Sequence, residues 1–158
     1  MYFAPRQIIP RLVHRLDKAT SGVLVVALTK ICAQELAKFF RTGQVEKMYQ
    51  AILYGTLPKR QGKIDLPLHK DRESKFEKMI VQEGGKPALT YYTVLKAHAP
   101  LSYVQLEPQT GRTHQLRIHL REMNAPILGD DKYGRCREFI RDNRLPNHLS
   151  RSLNNCSY

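Results

Sequence analysis

The sequence holds no tryptophan, three cysteines and 14 acidic residues in 158 positions. Cys32, Cys136 and Cys156 form no CxxC pair and have no histidine at zinc-ligand spacing. That pattern points away from a disulfide framework and a structural metal and towards a reducing compartment. No apolar run approaches the roughly 18 residues that cross a bilayer, and residues 1–12 lack the compact apolar centre of a signal peptide. The expectation is a soluble protein with no membrane partner, acting in the cytoplasm, or in an organelle if a targeting segment lies upstream. There is also no internal repeat, no low-complexity tract and no linker rich in glycine or serine. One domain spanning residues 1–158 follows.

Positive charge is abundant. Lysine and arginine number 26, giving a formal net charge of +12. Such an excess favours a polyanionic partner through steering and counterion release, with nucleic acid the leading candidate. A ribosomal or merely soluble basic protein would share the composition. Hydrophobic residues make up 42% of the chain, enough to build a core.

Val23 to Leu28 is a short β-branched run that reads as a buried strand. Thr29 can cap a following helix through Phe40, with Ala33, Leu36, Ala37 and Phe40 on one stripe and Gly43 as the stop. Val45–Gly55, Lys63–Leu68, Phe76–Gln82, Ala88–His98 and Ser102–Pro108 then read as strands separated by turn signals. The middle third is expected to be an antiparallel meander. Thr113 can cap a second helix whose stripe is Leu116, Leu120 and Met123, ended by Asn124 to Pro126. The fold class is α+β, a mainly antiparallel sheet flanked by helices. The polar, basic residues 135–158 are expected to be a divergent, partly disordered tail.

Asp17 lies in "VHRLDKATSG". Taken locally, an aspartate before Thr-Ser-Gly is a turn residue accepting backbone N–H bonds. The competing reading is a carboxylate kept ionised by a guanidinium and aimed at a substrate. Arg117 follows the stripe residue Leu116, so its guanidinium can emerge at the edge of the core and pair bidentately with a carboxylate. Arg112 precedes the helix, where it could hold a phosphate, and either arginine could equally be a solvated charge. His114 and His119 diverge on a helix, which leaves RNA contacts or hydrogen bonds within the fold rather than a metal. Tyr49 is either a core aromatic or a face on which a flipped base stacks. Tyr91 and Tyr92 are adjacent on a strand and face opposite sides.

Together these segments resemble a known family. "HRLDKATSGVLVVALTK" is similar to the catalytic-aspartate motif of the RluA/RluC-type pseudouridine synthases, and "KMYQAILYG" to their tyrosine motif. "LEPQTGRTHQLRIHL" followed by "APILGDDKYG" is similar to the third motif and its sequel, so the resemblance runs from about Val13 to Gly134. It implies a pseudouridine-synthase-like fold and isomerisation of uridine in structured RNA without cofactor or metal. Asp17 would be the essential carboxylate, Arg117 its ion-pair partner and Tyr49 the contact to the target base. Arg15 would help hold the flipped nucleotide, with Arg112 and His114 as further substrate contacts and Leu16, Leu116 and Ile118 as apolar walls. Thr20, Ser21 and Gly22 would shape the loop that presents Asp17.

Family members carry an "NKP" element before the aspartate motif and further sheet residues after "GDDKYG". The resemblance therefore implies a catalytic core shortened at both ends. Large-subunit ribosomal RNA is the expected substrate, transfer RNA the alternative, and a monomer the simplest state. A truncated homologue that binds RNA or ribosomes without catalysis, and a fragment that folds only with missing segments, are the competing readings.

Overall fold

The computed structural model describes residues 8–74 and 78–134. They fall into two compact units, Met1–Glu46 and Lys47–Tyr158. Residues 135–158, where a disordered tail was expected, lie outside the described residues.

In the first unit, β1 (Arg11–Leu12) pairs antiparallel with β2 (Val26–Ala27), and α1 (Lys30–Thr42) follows. The helix has both predicted ends. Thr29 is its N-cap and accepts from the Cys32 N–H at 3.1 Å, and Gly43 closes it in the left-handed region at φ 74°. Ala33, Leu36, Ala37 and Phe40 are its half-buried positions, the stripe that the spacing indicates. The buried strand expected over Val23–Leu28 is reduced to Val26–Ala27, and only Ala27 is buried. The reason is the shortness of β1, which supplies two rungs, Arg11↔Ala27 and Leu12↔Val26.

The second unit is built on a four-stranded antiparallel sheet of order β3-β8-β7-β4, comprising β3 (Tyr49–Tyr54), β4 (Gln61–Asp65), β7 (Leu89–His98) and β8 (Leu101–Pro108). A separate hairpin joins β5 (Leu68–Lys70) to β6 (Met79–Val81). The strand predicted over Phe76–Gln82 is seen as β6, its first residues lying outside those described.

The antiparallel expectation holds, but the meander order does not. β3 pairs with β8, from Tyr49↔Leu106 to Tyr54↔Leu101, and β4 pairs with β7. The long β7–β8 hairpin therefore forms the centre of the sheet. Alternation along the strands puts Leu53, Ile64, Tyr92, Val104 and Leu106 on one face, where Leu120 of α2 (Gln115–Glu122) and Ala125 complete the cluster. Burying side chains of this size contributes about 1.5–3 kcal/mol each. Tyr91 points the other way and is 44% exposed. A second cluster, Leu68, Ala88, Ile118 and Tyr133, lies between the β5–β6 hairpin and the other side of α2. Ile118, read above as a pocket wall, is thus a core residue with no exposed surface.

Thr113 is not the N-cap of α2. His114 occupies that position at φ 55°, and no side chain caps the helix. Gln115 explains the change. Its Oε1 accepts from the Arg112 N–H at 3.0 Å and the Thr110 hydroxyl at 2.7 Å, while its Nε2 donates to Leu89 O and Thr90 Oγ1, both at 3.0 Å. All four positions of the amide are used, and they tie the entry loop to β7.

Candidate active site

The first unit presents the segment carrying Asp17. Arg15 and Thr20 are exposed, whereas Leu16 and Asp17 are half-buried. The Thr20 N–H donates to Asp17 O at 2.9 Å, closing the turn expected from Thr-Ser-Gly. The acceptor in this turn is the main-chain carbonyl of Asp17, not the carboxylate that the local reading used. Asp17 has a further interaction besides this turn bond.

The second unit supplies Tyr49, Arg112, His114, Leu116 and Arg117. Tyr49 is half-buried on β3 and packs against the first cluster, as does the half-buried Leu116. Arg112 is exposed, and its Nε donates to Pro87 O at 3.0 Å, which orients the guanidinium along the sheet end. His114 Nδ1 lies 2.8 Å from the Tyr133 hydroxyl, with the two rings edge to face at 5.4 Å.

Arg117 is the most tightly held of these residues. Its Nε donates to Asp130 Oδ2 and its Nη2 to Asp130 Oδ1, both at 2.7 Å, a bidentate fork. Asp131 Oδ1 stands 3.6 Å from the same Nη2, and the guanidinium carbon sits 5.0 Å over the Tyr133 ring. Asp130 in turn accepts from the N–H groups of Lys132 and Tyr133, each at 3.0 Å. Burial by itself would raise the Asp130 carboxyl, but the Arg117 hydrogen bonds and these backbone donors outweigh it and hold the group below the ordinary carboxylate value. Tyr133 is anchored through its hydroxyl, which accepts from the Met79 N–H at 2.9 Å. The turn 130–133 therefore fixes Arg117 in one orientation before any ligand arrives.

Behind this row His119 is fully buried. Its Nε2 faces Leu66 O at 3.1 Å and its Nδ1 faces Thr90 Oγ1 at 3.0 Å. A carbonyl only accepts, so Nε2 carries the proton and Nδ1 accepts from Thr90, whose oxygen accepts from Gln115. Desolvation lowers the proton affinity of His119, which the Leu66 bond and the charge of Asp65 only partly offset. His119 is thus a neutral brace, the second of the two uses its sequence position left open. Lys47, on the chain leading into β3, also has its proton affinity lowered by burial.

Asp130, Tyr133, Gln115 and Thr90 were not legible as site residues. For the first two a signal was present in "GDDKYG", where an aspartate three residues before a tyrosine follows the arginine helix. For Gln115 and Thr90, single polar residues in apolar surroundings, no sequence signal existed.

A family model described as RNA pseudouridylate synthase matches residues 3–122, which include Asp17, Tyr49 and Arg117. A dual-specificity RNA pseudouridine synthase RluA of Pasteurella multocida is 46% identical over 121 residues, covering 76% of this chain and 55% of that protein. A ribosomal large subunit pseudouridine synthase D of Neisseria meningitidis is 41% identical over 128 residues, covering 80% of this chain and 34% of that protein. The chain thus spans between about a third and somewhat over a half of these relatives' length. Among solved structures, the human RNA pseudouridylate synthase domain containing 1 superposes with a TM-score of 0.74 at 36% identity, covering 86% of this chain and 59% of that one. With the match extending over most of its length and including all three motif residues, the chain belongs to the RNA pseudouridylate synthase family.

Proposed function

We propose that this chain carries the catalytic machinery of an RNA pseudouridine synthase acting on uridines of large-subunit ribosomal RNA, as a monomer in the cytoplasm. The observation that carries the reading is that the family match includes Asp17, Tyr49 and Arg117 in one uninterrupted region. The excess of positive charge supports an RNA partner. The dual specificity in the name of the Pasteurella relative favours a second class of RNA as an additional substrate.

The reaction breaks the bond from ribose C1′ to uracil N1, rotates the base, and joins C1′ to C5. The C5 proton is lost and N1 gains one, so no redox partner is required. Asp17 serves as the carboxylate that opens this sequence, acting on the flipped nucleotide. The family resemblance gives Arg117 the role of counter-charge to that carboxylate. A guanidinium already held by Asp130 pays no further cost for orientation when charge develops. Tyr49 contacts the target base, Arg15 helps hold the flipped nucleotide, and Leu16, Thr20, Arg112, His114 and Leu116 serve as further substrate contacts.

The test is tritium release from RNA labelled at uridine C5. The chain is expected to release tritium and Asp17→Ala to abolish release; release that survives this substitution contradicts the role of Asp17. Salt-sensitive RNA binding without release, in a folded sample, would instead favour the non-catalytic alternative.

A further inference from the structure

The loop between His14 and Val25 contains Arg15, Leu16, Asp17 and Thr20, and most of it is exposed. With so little apolar burial, its shape depends on a few polar bonds. One is the Thr20 to Asp17 turn. Another spans eleven positions: the Val25 N–H donates to Nε2 of His14 at 2.8 Å. An N–H only donates, so Nε2 presents its lone pair and the imidazole is the neutral tautomer with hydrogen on Nδ1. The ring also stacks on Phe40 of α1, centroids 4.6 Å apart and planes 20° from parallel. The stack fixes the plane of the imidazole, and the plane aims Nε2 at one amide.

The register explains why the bond falls there. The β1–β2 rungs are Arg11↔Ala27 and Leu12↔Val26, so the next would be Val13↔Val25. At that point the ladder stops, and the Val25 N–H donates to the side chain of His14. His14 thereby ends the ladder and begins the loop in one step.

We propose that His14 is a positioning residue that closes the loop 14–25 and so fixes the Asp17 turn, a role that rests on the reading of Asp17 as the reacting carboxylate. His14 itself touches no reacting atom. Its contribution is to the placement of the carboxylate, where a displacement near 1 Å costs on the order of 100-fold in rate.

Two variants separate the acceptor from the ring. His14→Phe keeps an aromatic to stack on Phe40 but has no acceptor, while His14→Gln places an amide oxygen near the position of Nε2. Amide hydrogen exchange at Val25 and Thr20 is followed by NMR, alongside kcat and KM for uridine isomerisation. His14→Phe is expected to exchange both amides at least about tenfold faster and to lose about 10-fold to 100-fold in kcat with KM within about twofold, and His14→Gln to recover both. Unchanged exchange at Val25 and Thr20 in His14→Phe overturns the proposal, as does a His14→Gln variant as impaired as His14→Phe. If His14→Phe fails to fold, His14→Gln decides alone: near-native exchange and kcat support the role, and impairment of either overturns it. Failure of the underlying reading shows separately, as activity in Asp17→Ala, and exchange then decides whether His14 closes the loop.

Discussion

The fork between Arg117 and Asp130 offers the sharpest energetic prediction. The Asp130 side chain is 4% exposed and that of Arg117 19%, so the pair is closer to a buried ion pair than to a surface one. Each of its two 2.7 Å bonds joins opposite charges, and such a bond contributes about 1.5–3 kcal/mol net. The two share one desolvation cost, so the expected coupling is about 2–3 kcal/mol rather than twice the single value. Asp130→Ala should cost more than Arg117→Ala, about 3–5 kcal/mol, because it removes both fork bonds from a partly buried guanidinium and leaves the Lys132 and Tyr133 N–H groups without their acceptor. The assay is a double-mutant cycle in urea, followed by far-ultraviolet circular dichroism because the chain has no tryptophan. A coupling energy under about 0.5 kcal/mol would refute the argument and reduce the fork to an ordinary surface contact.

Gly55 tests the close approach of the β3 end to the segment after α2. A Cβ there would stand 2.7 Å from Asn124 O and 3.0 Å from Ala125 Cα, at φ +129°. Gly55→Ala should lower stability by roughly 2–4 kcal/mol, read as a reduced urea midpoint at unchanged slope. His119 tests the polar brace. Its folded proton affinity lies below the ordinary value of 6.5, so the unfolded chain binds the extra proton first. The stability contributed by neutral His119 is complete above pH 6.5 and is lost as pH falls from there through the folded value. Asp130, also lowered, adds a further loss below its ordinary value of 3.8. The urea midpoint measured against pH should therefore fall on the acid side beginning near 6.5, and His119→Gln should remove that first limb while keeping the lower one.

Much of the architecture was legible because it is decided locally. Thr29 and Gly43 announce the ends of α1 by chemistry that acts within a few residues, and the alternation around Tyr91 and Tyr92 assigns the two faces of β7. Strand order was not legible, because the pairing of β3 with β8 depends on residues some fifty positions apart and on the length of the β7–β8 hairpin. The strand over Val23–Leu28 failed for a similar reason. Its apolar pattern is strand-like, but a strand needs a partner, and β1 offers only two residues. Of the proposed site residues, Asp17, Tyr49 and Arg117 stood out through motif and charge. Their supports did not, since Gln115 and Asp130 act through bonds formed only after the chain has folded.

We propose that this chain isomerises uridine through Asp17. Mapping pseudouridines at single-base resolution in unmodified large-subunit ribosomal RNA, treated with the chain or with its Asp17→Ala variant, tests it most directly. Discrete new sites are expected with the chain and none with the variant. The same sites formed by Asp17→Ala, or none formed by the chain while it binds that RNA, would contradict it.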